Sequence, residues 1–137
     1  MSFLNPNDSA FQHIEHEYRQ IQQQSYTRLQ AGRARIGLID SKSAVIQKRN
    51  MLQIKFSKAS SLEEFNALQS DLNLLDTYIQ QTNEIEQKIM NTPVHTPRNI
   101  EEEVNREIKG LFLTGRFEKK DLATLFHVSE SHVSNIT

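Results

Sequence analysis

Phe117-Glu118-Lys119-Lys120-Asp121-Leu122-Ala123-Thr124-Leu125-Phe126-His127-Val128-Ser129-Glu130-Ser131-His132-Val133-Ser134-Asn135-Ile136-Thr137 is the stretch on which the reading of this chain turns. Lys119 to Phe126 predicts a helix with Leu122, Ala123 and Phe126 on one face, and Ser129 to Ile136 predicts a second with Val133 and Ile136 facing back. His127-Val128 is the turn between them. Two short helices crossing closely need a small residue at the crossing, which Ala123 supplies, and an apolar plug in the turn, which Val128 supplies. The expected core of the pair is therefore Leu122, Ala123, Phe126, Val128, Val133 and Ile136. Ser129 is placed to cap the second helix through its hydroxyl, and Glu130, Ser131, His132, Ser134 and Asn135 are polar and point outward from it.

These residues, Phe117 through Ile136, resemble the helix-turn-helix of phage and mobile-element regulators and of the DNA-binding tails of site-specific recombinases. The chain departs from that pattern at His127, where the turn usually carries a left-handed glycine; histidine tolerates that backbone region better than a branched residue does. Upstream, Ile100 to Leu113 predicts a preceding helix, with Ile100, Val104, Ile108 and Leu111 or Phe112 at helical spacing and Glu101, Glu102 and Glu103 at its amino end. Thr114-Gly115-Arg116 breaks it. The resemblance thus covers a trihelical unit, residues 100–137. Families of this kind usually continue past the second helix, so either further residues or packing from a partner is expected to complete the unit.

The resemblance implies double-stranded DNA as the partner and transcriptional control of phage or prophage type as the role; a recombination accessory or a genome-packaging component would suit the same motif. Glu130, Ser131, His132, Ser134 and Asn135 are then the candidates for base edges, with Asn135 suited to adenine and Glu130 able to accept from cytosine. Arg116, Lys119 and Lys120, at the start of the helix pair, are the candidate phosphate contacts.

Charge argues against a simple DNA-binding surface, because phosphate neutralisation normally supplies much of the affinity. The 137-residue chain carries a net charge of −1, and residues 98–137 hold six basic residues against seven acidic ones. Most of those acids cluster at the start of the upstream helix, away from Arg116, Lys119 and Lys120. Hydrophobic content is 36%, with four glycines and three prolines, a composition that suits long helices with much exposed surface. There is no cysteine, which excludes disulfides and thiolate metal sites and fits a reducing, cytoplasmic location. No run approaches the roughly 20 apolar residues of a membrane span, and no signal pattern opens the chain. No nucleophile elbow or glycine-rich phosphate loop occurs, so neither an enzyme nor a cofactor is expected.

The first ninety-one residues read as long helices. Phe65, Leu68, Leu72, Leu75, Ile79, Thr82, Glu86 and Ile89 follow alternating three- and four-residue steps, a coiled-coil seam from which Phe65, Leu68, Leu72, Leu75 and Ile79 are expected to serve oligomerisation. Ser60 or Ser61 caps this helix. A helix from about Arg33 to Lys58 places Leu38, Val45 and Leu52, and Ile39 and Ile46, seven apart. It holds seven basic residues and one acid, whereas residues 59–91 hold six acids and one base, so the two should fold back as an antiparallel hairpin across the Ser57–Ser61 turn. A first helix is expected from about Asp8 to Ala31, with Phe11, Ile14, Tyr18 and Ile21 at coiled-coil spacing and a break or joint at Gly32 and Gly37, although one helix can run through both.

The expected architecture is all-α: a long antiparallel helical hairpin or coiled-coil bundle over residues 1–91, a proline-containing linker over residues 92–99, and the helix-turn-helix unit over residues 100–137. Narrow apolar stripes favour a homodimer or higher oligomer. Several blander readings stand beside these. The basic helix is a solvated face answering the acidic one rather than a second nucleic-acid surface. His13 and His16, three apart, are surface residues rather than metal ligands, since no third ligand accompanies them. Tyr18, Tyr26 and Tyr78 pack at helix edges. The rival for the whole chain is a protein-interaction module whose terminal unit docks or oligomerises.

Overall fold

The computed structural model describes residues 2–21, 26–91 and 101–137, with only the backbone of Glu101. The predicted linker, residues 92–99, and Ile100 lie outside the described residues. Within them the protein is all-α, with six helices: α1 Ser9–Gln20, α2 Arg28–Ser57, α3 Leu62–Asn91, α4 Glu101–Leu113, α5 Lys119–Phe126 and α6 Glu130–Ile136. None is long and apolar enough to cross a membrane.

The chain divides into two compact units. One comprises Met1–Gln23 and Gly37–Lys88; the other comprises Gln24–Ile36 and Ile89–Thr137. This division differs from the one read along the sequence, which gave residues 1–91 to a single region. The first turns of α2 group with α4, α5 and α6, because Leu29 belongs to the same apolar cluster as Val104, Ile108, Leu122, Phe126 and Val133.

In the first unit, α2 and α3 are antiparallel. Lys42 Nζ donates to Asn83 Oδ1 at 2.7 Å, Arg49 Nε to Asp76 Oδ1 at 2.5 Å, and the Phe56 and Phe65 rings lie 4.6 Å apart, so partners climb one helix as they descend the other. Ser61 starts α3, its Oγ accepting from the Glu64 N–H at 3.1 Å. The short α1 runs parallel to α3 and antiparallel to α2. Phe11 stacks on Tyr78 with ring centroids 4.7 Å apart, while Asp8, the cap of α1, accepts from Lys48 Nζ at 2.9 Å. The basic charge of α2 is largely spent inside the unit, Lys48 and Arg49 being ion-paired and Lys55 lying over the Phe3 ring.

Phe11, Ile14, Val45, Leu68, Leu75 and Ile85 are fully buried, each contributing about 1.5–3 kcal/mol of apolar burial. Of the expected seam of α3, Leu68, Leu72, Leu75, Thr82 and Ile89 are buried and Phe65 is exposed, while at two positions the burial moves back by one residue: Tyr78 and Ile85 are buried, Ile79 is half-buried and Glu86 exposed. A straight helix of 3.6 residues per turn drifts against a 3.5-residue repeat, and Phe11 gives the Tyr78 ring a partner. Tyr78 and Tyr26 are thus buried rather than edge residues.

The first helix also differs from expectation. It ends at Gln20, and α2 begins at Arg28, where Thr27 and Gln30 form a reciprocal cap: Thr27 Oγ1 accepts from the Gln30 N–H, and Gln30 Oε1 from the Thr27 N–H, both at 3.1 Å. The helix then runs unbroken through Gly32 and Gly37. Both glycines serve close packing instead of a joint. A Cβ at Gly32 would collide with the Phe126 ring, and one at Gly37 would stand 2.6 Å from His13 Nε2.

Candidate nucleic-acid interface

Local chemistry fixes the junction of α5 and α6. Asp121 Oδ2 accepts from the Glu118 N–H at 3.2 Å, tightening the start of α5. At its end His127 is left-handed, with φ 56° and ψ 44°, and two reverse hydrogen bonds close the helix: His127 N–H to Thr124 O at 3.4 Å and Val128 N–H to Ala123 O at 3.0 Å. This is the geometry a glycine would ordinarily supply. Val128 packs on the apolar cluster beneath it, and Ser129 Oγ accepts from the His132 N–H at 3.0 Å to start α6. Each of the six residues expected to form the core of the pair lies in or against that cluster.

Two features were missed in the sequence. Leu125 is also buried, because the first turns of α2 cover the side of α5 that three helices alone would leave bare. From those turns, Arg28 Nε donates to the His127 carbonyl at 3.1 Å and Arg35 Nη1 to the Thr124 carbonyl at 2.6 Å. The two guanidinium groups complete the carboxyl end of α5, where carbonyls lack the i+4 donors of the helix interior and the helix dipole favours cations. The imidazole of His127 sits half-buried beside them; burial first, then Arg35 and Arg28, hold its pKa below the ordinary histidine value. Leu125, one position off the expected face, was the sequence signal for this fourth element.

Glu130, Ser131, Ser134 and Asn135 form the exposed side of α6. His132 differs from the other four base-contact candidates: it is half-buried, and its Nε2 lies 2.7 Å from Asn105 Oδ1 on α4. Engaged in this way it holds α6 against α4. Among the phosphate-contact candidates, Lys120 Nζ lies 3.6 Å from Glu118, Lys119 sits 5.6 Å over the Phe112 ring, and Arg116 stacks 5.0 Å over Phe117; all three are exposed. Arg33 is instead bound by Glu107 through a two-pronged pair at 3.1 and 3.0 Å, which raises its pKa.

The residues expected to oligomerise are placed otherwise. Leu68, Leu72 and Leu75 are buried within this one chain, whereas Phe65 is exposed beside Phe56. The apolar residues left open on the first unit are chiefly Ile39, Ile46, Met51, Ile54 and Leu62. His16 is exposed and His13 faces Gly37, and no metal-holding group of three or more His, Asp or Glu residues forms among the described residues. Compared with known proteins, the chain matches no family model, no curated protein and no solved structure.

Proposed function

We propose that this protein binds double-stranded DNA sequence-specifically through α6 and acts as a transcriptional regulator of phage type. The observation that carries the reading is the α5–α6 junction. A left-handed His127 and a Ser129 cap hold a short helix whose core side is anchored by Val133 and whose opposite side, Ser131, Ser134 and Asn135, is polar and uncovered. Polar side chains on a helix held this firmly are what base-edge recognition in the major groove requires. A homodimer would make the second DNA contact effectively intramolecular, offsetting the weak basic charge.

The test is selection of bound duplexes from a random DNA pool by the full chain, beside the S131A/N135A variant. Enrichment of a motif by the parent, and its loss in the variant, supports the reading; no enrichment by the folded parent sinks it. A second reading, capture of a partner protein, is favoured by the exposed Leu113 of α4 and Ile54 of α2, with 77% and 59% of their surface open. Under that reading, polar substitution of Leu113 and Ile54 abolishes recovery of a stoichiometric protein partner, while DNA selection yields nothing.

A further inference from the structure

We infer that the groove between α4 and α6 is a phosphate-contact strip in which Arg106 and Lys109 grip the DNA backbone beside α6; this rests on the DNA-binding reading above. The groove is lined by Glu102, Asn105, Arg106, Lys109 and Ile136. Arg106 and Lys109 stand three residues apart on α4, so their side chains emerge next to each other, and both are exposed.

These two cations differ from most others of the unit in being uncommitted. Arg33 is held by Glu107, Arg28 and Arg35 bind carbonyls at the end of α5, and Lys120 lies beside Glu118. Neither Arg106 nor Lys109 is ion-paired among the described residues. Of the acids around them, Glu102 lines the groove itself, while Glu103 and Glu107 lie in the neighbouring groove that Arg106 shares with Arg33, where Glu107 is occupied by Arg33. Within the groove two positive charges therefore stand against one negative.

Position supplies the rest. Ile136 forms one wall of the groove, and its neighbour Asn135 belongs to the exposed side of α6, so the strip borders the surface proposed to read bases. The His132–Asn105 hydrogen bond fixes the spacing between the two helices there. A helix lying in the major groove is flanked by phosphates, and cations beside it set its register without reading sequence. Arg106 and Lys109 supply that function at a place where Arg116, Lys119 and Lys120 are not.

The experiment measures affinity of the full chain for its selected duplex as salt is raised, for the parent, the R106Q/K109Q variant and the S131A/N135A variant. Glutamine keeps the stems and the helix propensity, and circular dichroism confirms folding. R106Q/K109Q is expected to bind more weakly, with the slope of log K against log salt shallower by about 2, so that its loss of affinity between about 50 and about 200 mM salt is about tenfold smaller than the parent's, while the selected motif stays the same. An unchanged slope in R106Q/K109Q, with S131A/N135A still losing the motif, overturns this inference and leaves the DNA reading intact. A parent that binds no duplex overturns both. Should R106Q/K109Q misfold, the single variants R106Q and K109Q decide: each must make the slope shallower by about 1, and an unchanged slope in both overturns the inference.

Discussion

Arg35 and Thr124 are 89 residues apart in the chain, yet Arg35 Nη1 donates to the Thr124 carbonyl at 2.6 Å. The guanidinium is almost wholly buried, and the carbonyl it meets belongs to the last turn of α5, where the backbone offers it only the long 3.4 Å hydrogen bond from the His127 N–H. Replacing Arg35 with methionine keeps the stem but removes the shorter, charged donor and leaves the carbonyl only its long bond from His127. A loss of about 1.5–3 kcal/mol in chemical denaturation of the full chain is expected, the range for a hydrogen bond to a charged group. A loss under about 0.5 kcal/mol would show that water takes the place of the guanidinium.

Gly32 and Gly110 both sit inside helices, and their substitution by alanine should have opposite signs. At Gly32 a Cβ would overlap the Phe126 ring, so G32A costs about 1–3 kcal/mol despite alanine's better helix propensity. Nothing lies within 4 Å of a Cβ at Gly110, so G110A stabilises by about 0.4–1 kcal/mol. Thermal unfolding of the two variants decides the matter, and equal shifts would contradict this account of Gly32.

His127 makes stability pH-dependent. Its folded pKa lies below the 6.5 of a free histidine, so the unfolded chain binds the proton more readily. The stabilisation is present above pH 6.5 and is lost as pH falls through the folded pKa. His127→Asn keeps a residue at ease in the left-handed region and removes the titration. The difference in unfolding free energy between parent and variant should therefore change as pH is lowered from about 7.5 to 5; a constant difference would refute the role of His127.

Tyr78 carries the opposite shift. Burial first, then its hydrogen bond to Glu15 at 2.6 Å, push the phenol up to about 12 from 10.0. Above pH 10 the unfolded chain ionises while the folded one does not, so this contribution fades as pH rises. Tyrosinate absorbance should show a late-titrating contribution that Tyr78→Phe removes, beside Tyr18, whose pKa its hydrogen bond to Glu84 also raises; a titration unchanged by Tyr78→Phe at high pH would mean the ring is open to water.

Much of the architecture was legible because it rests on local signals. The α5–α6 boundaries, the Ser129 cap, the Ser61 start of α3 and the left-handed His127 follow from residues within a few positions of one another. What escaped the reading depends on partners distant in sequence. Gly32 and Gly37 look like breaks until Phe126 and His13 are seen against them, and the seam of α3 moves to Tyr78 because Phe11 lies there. Thr27-Arg28-Leu29-Gln30 is a local start signal for α2, the capping pattern of a threonine followed three residues on by glutamine. At the candidate site, polarity identified an outward side of α6, but only the Asn105 contact separates His132 from its neighbours.

Because Gln24–Ile36 belongs to the same compact unit as Ile89–Thr137, that unit is not a contiguous module. A fragment cut in the segment before α4 would carry α5 into water with Phe126 and Leu125 uncovered and without the two guanidinium donors at its carboxyl end. Recombination that exchanged only the tail between related genes would likewise separate Phe126 from the glycine shaped to receive it. Bringing Arg35 to Thr124 closes a loop spanning 89 residues, so the assembly of this unit waits on its last helices, and the first turns of α2 must stay available until α5 has been made.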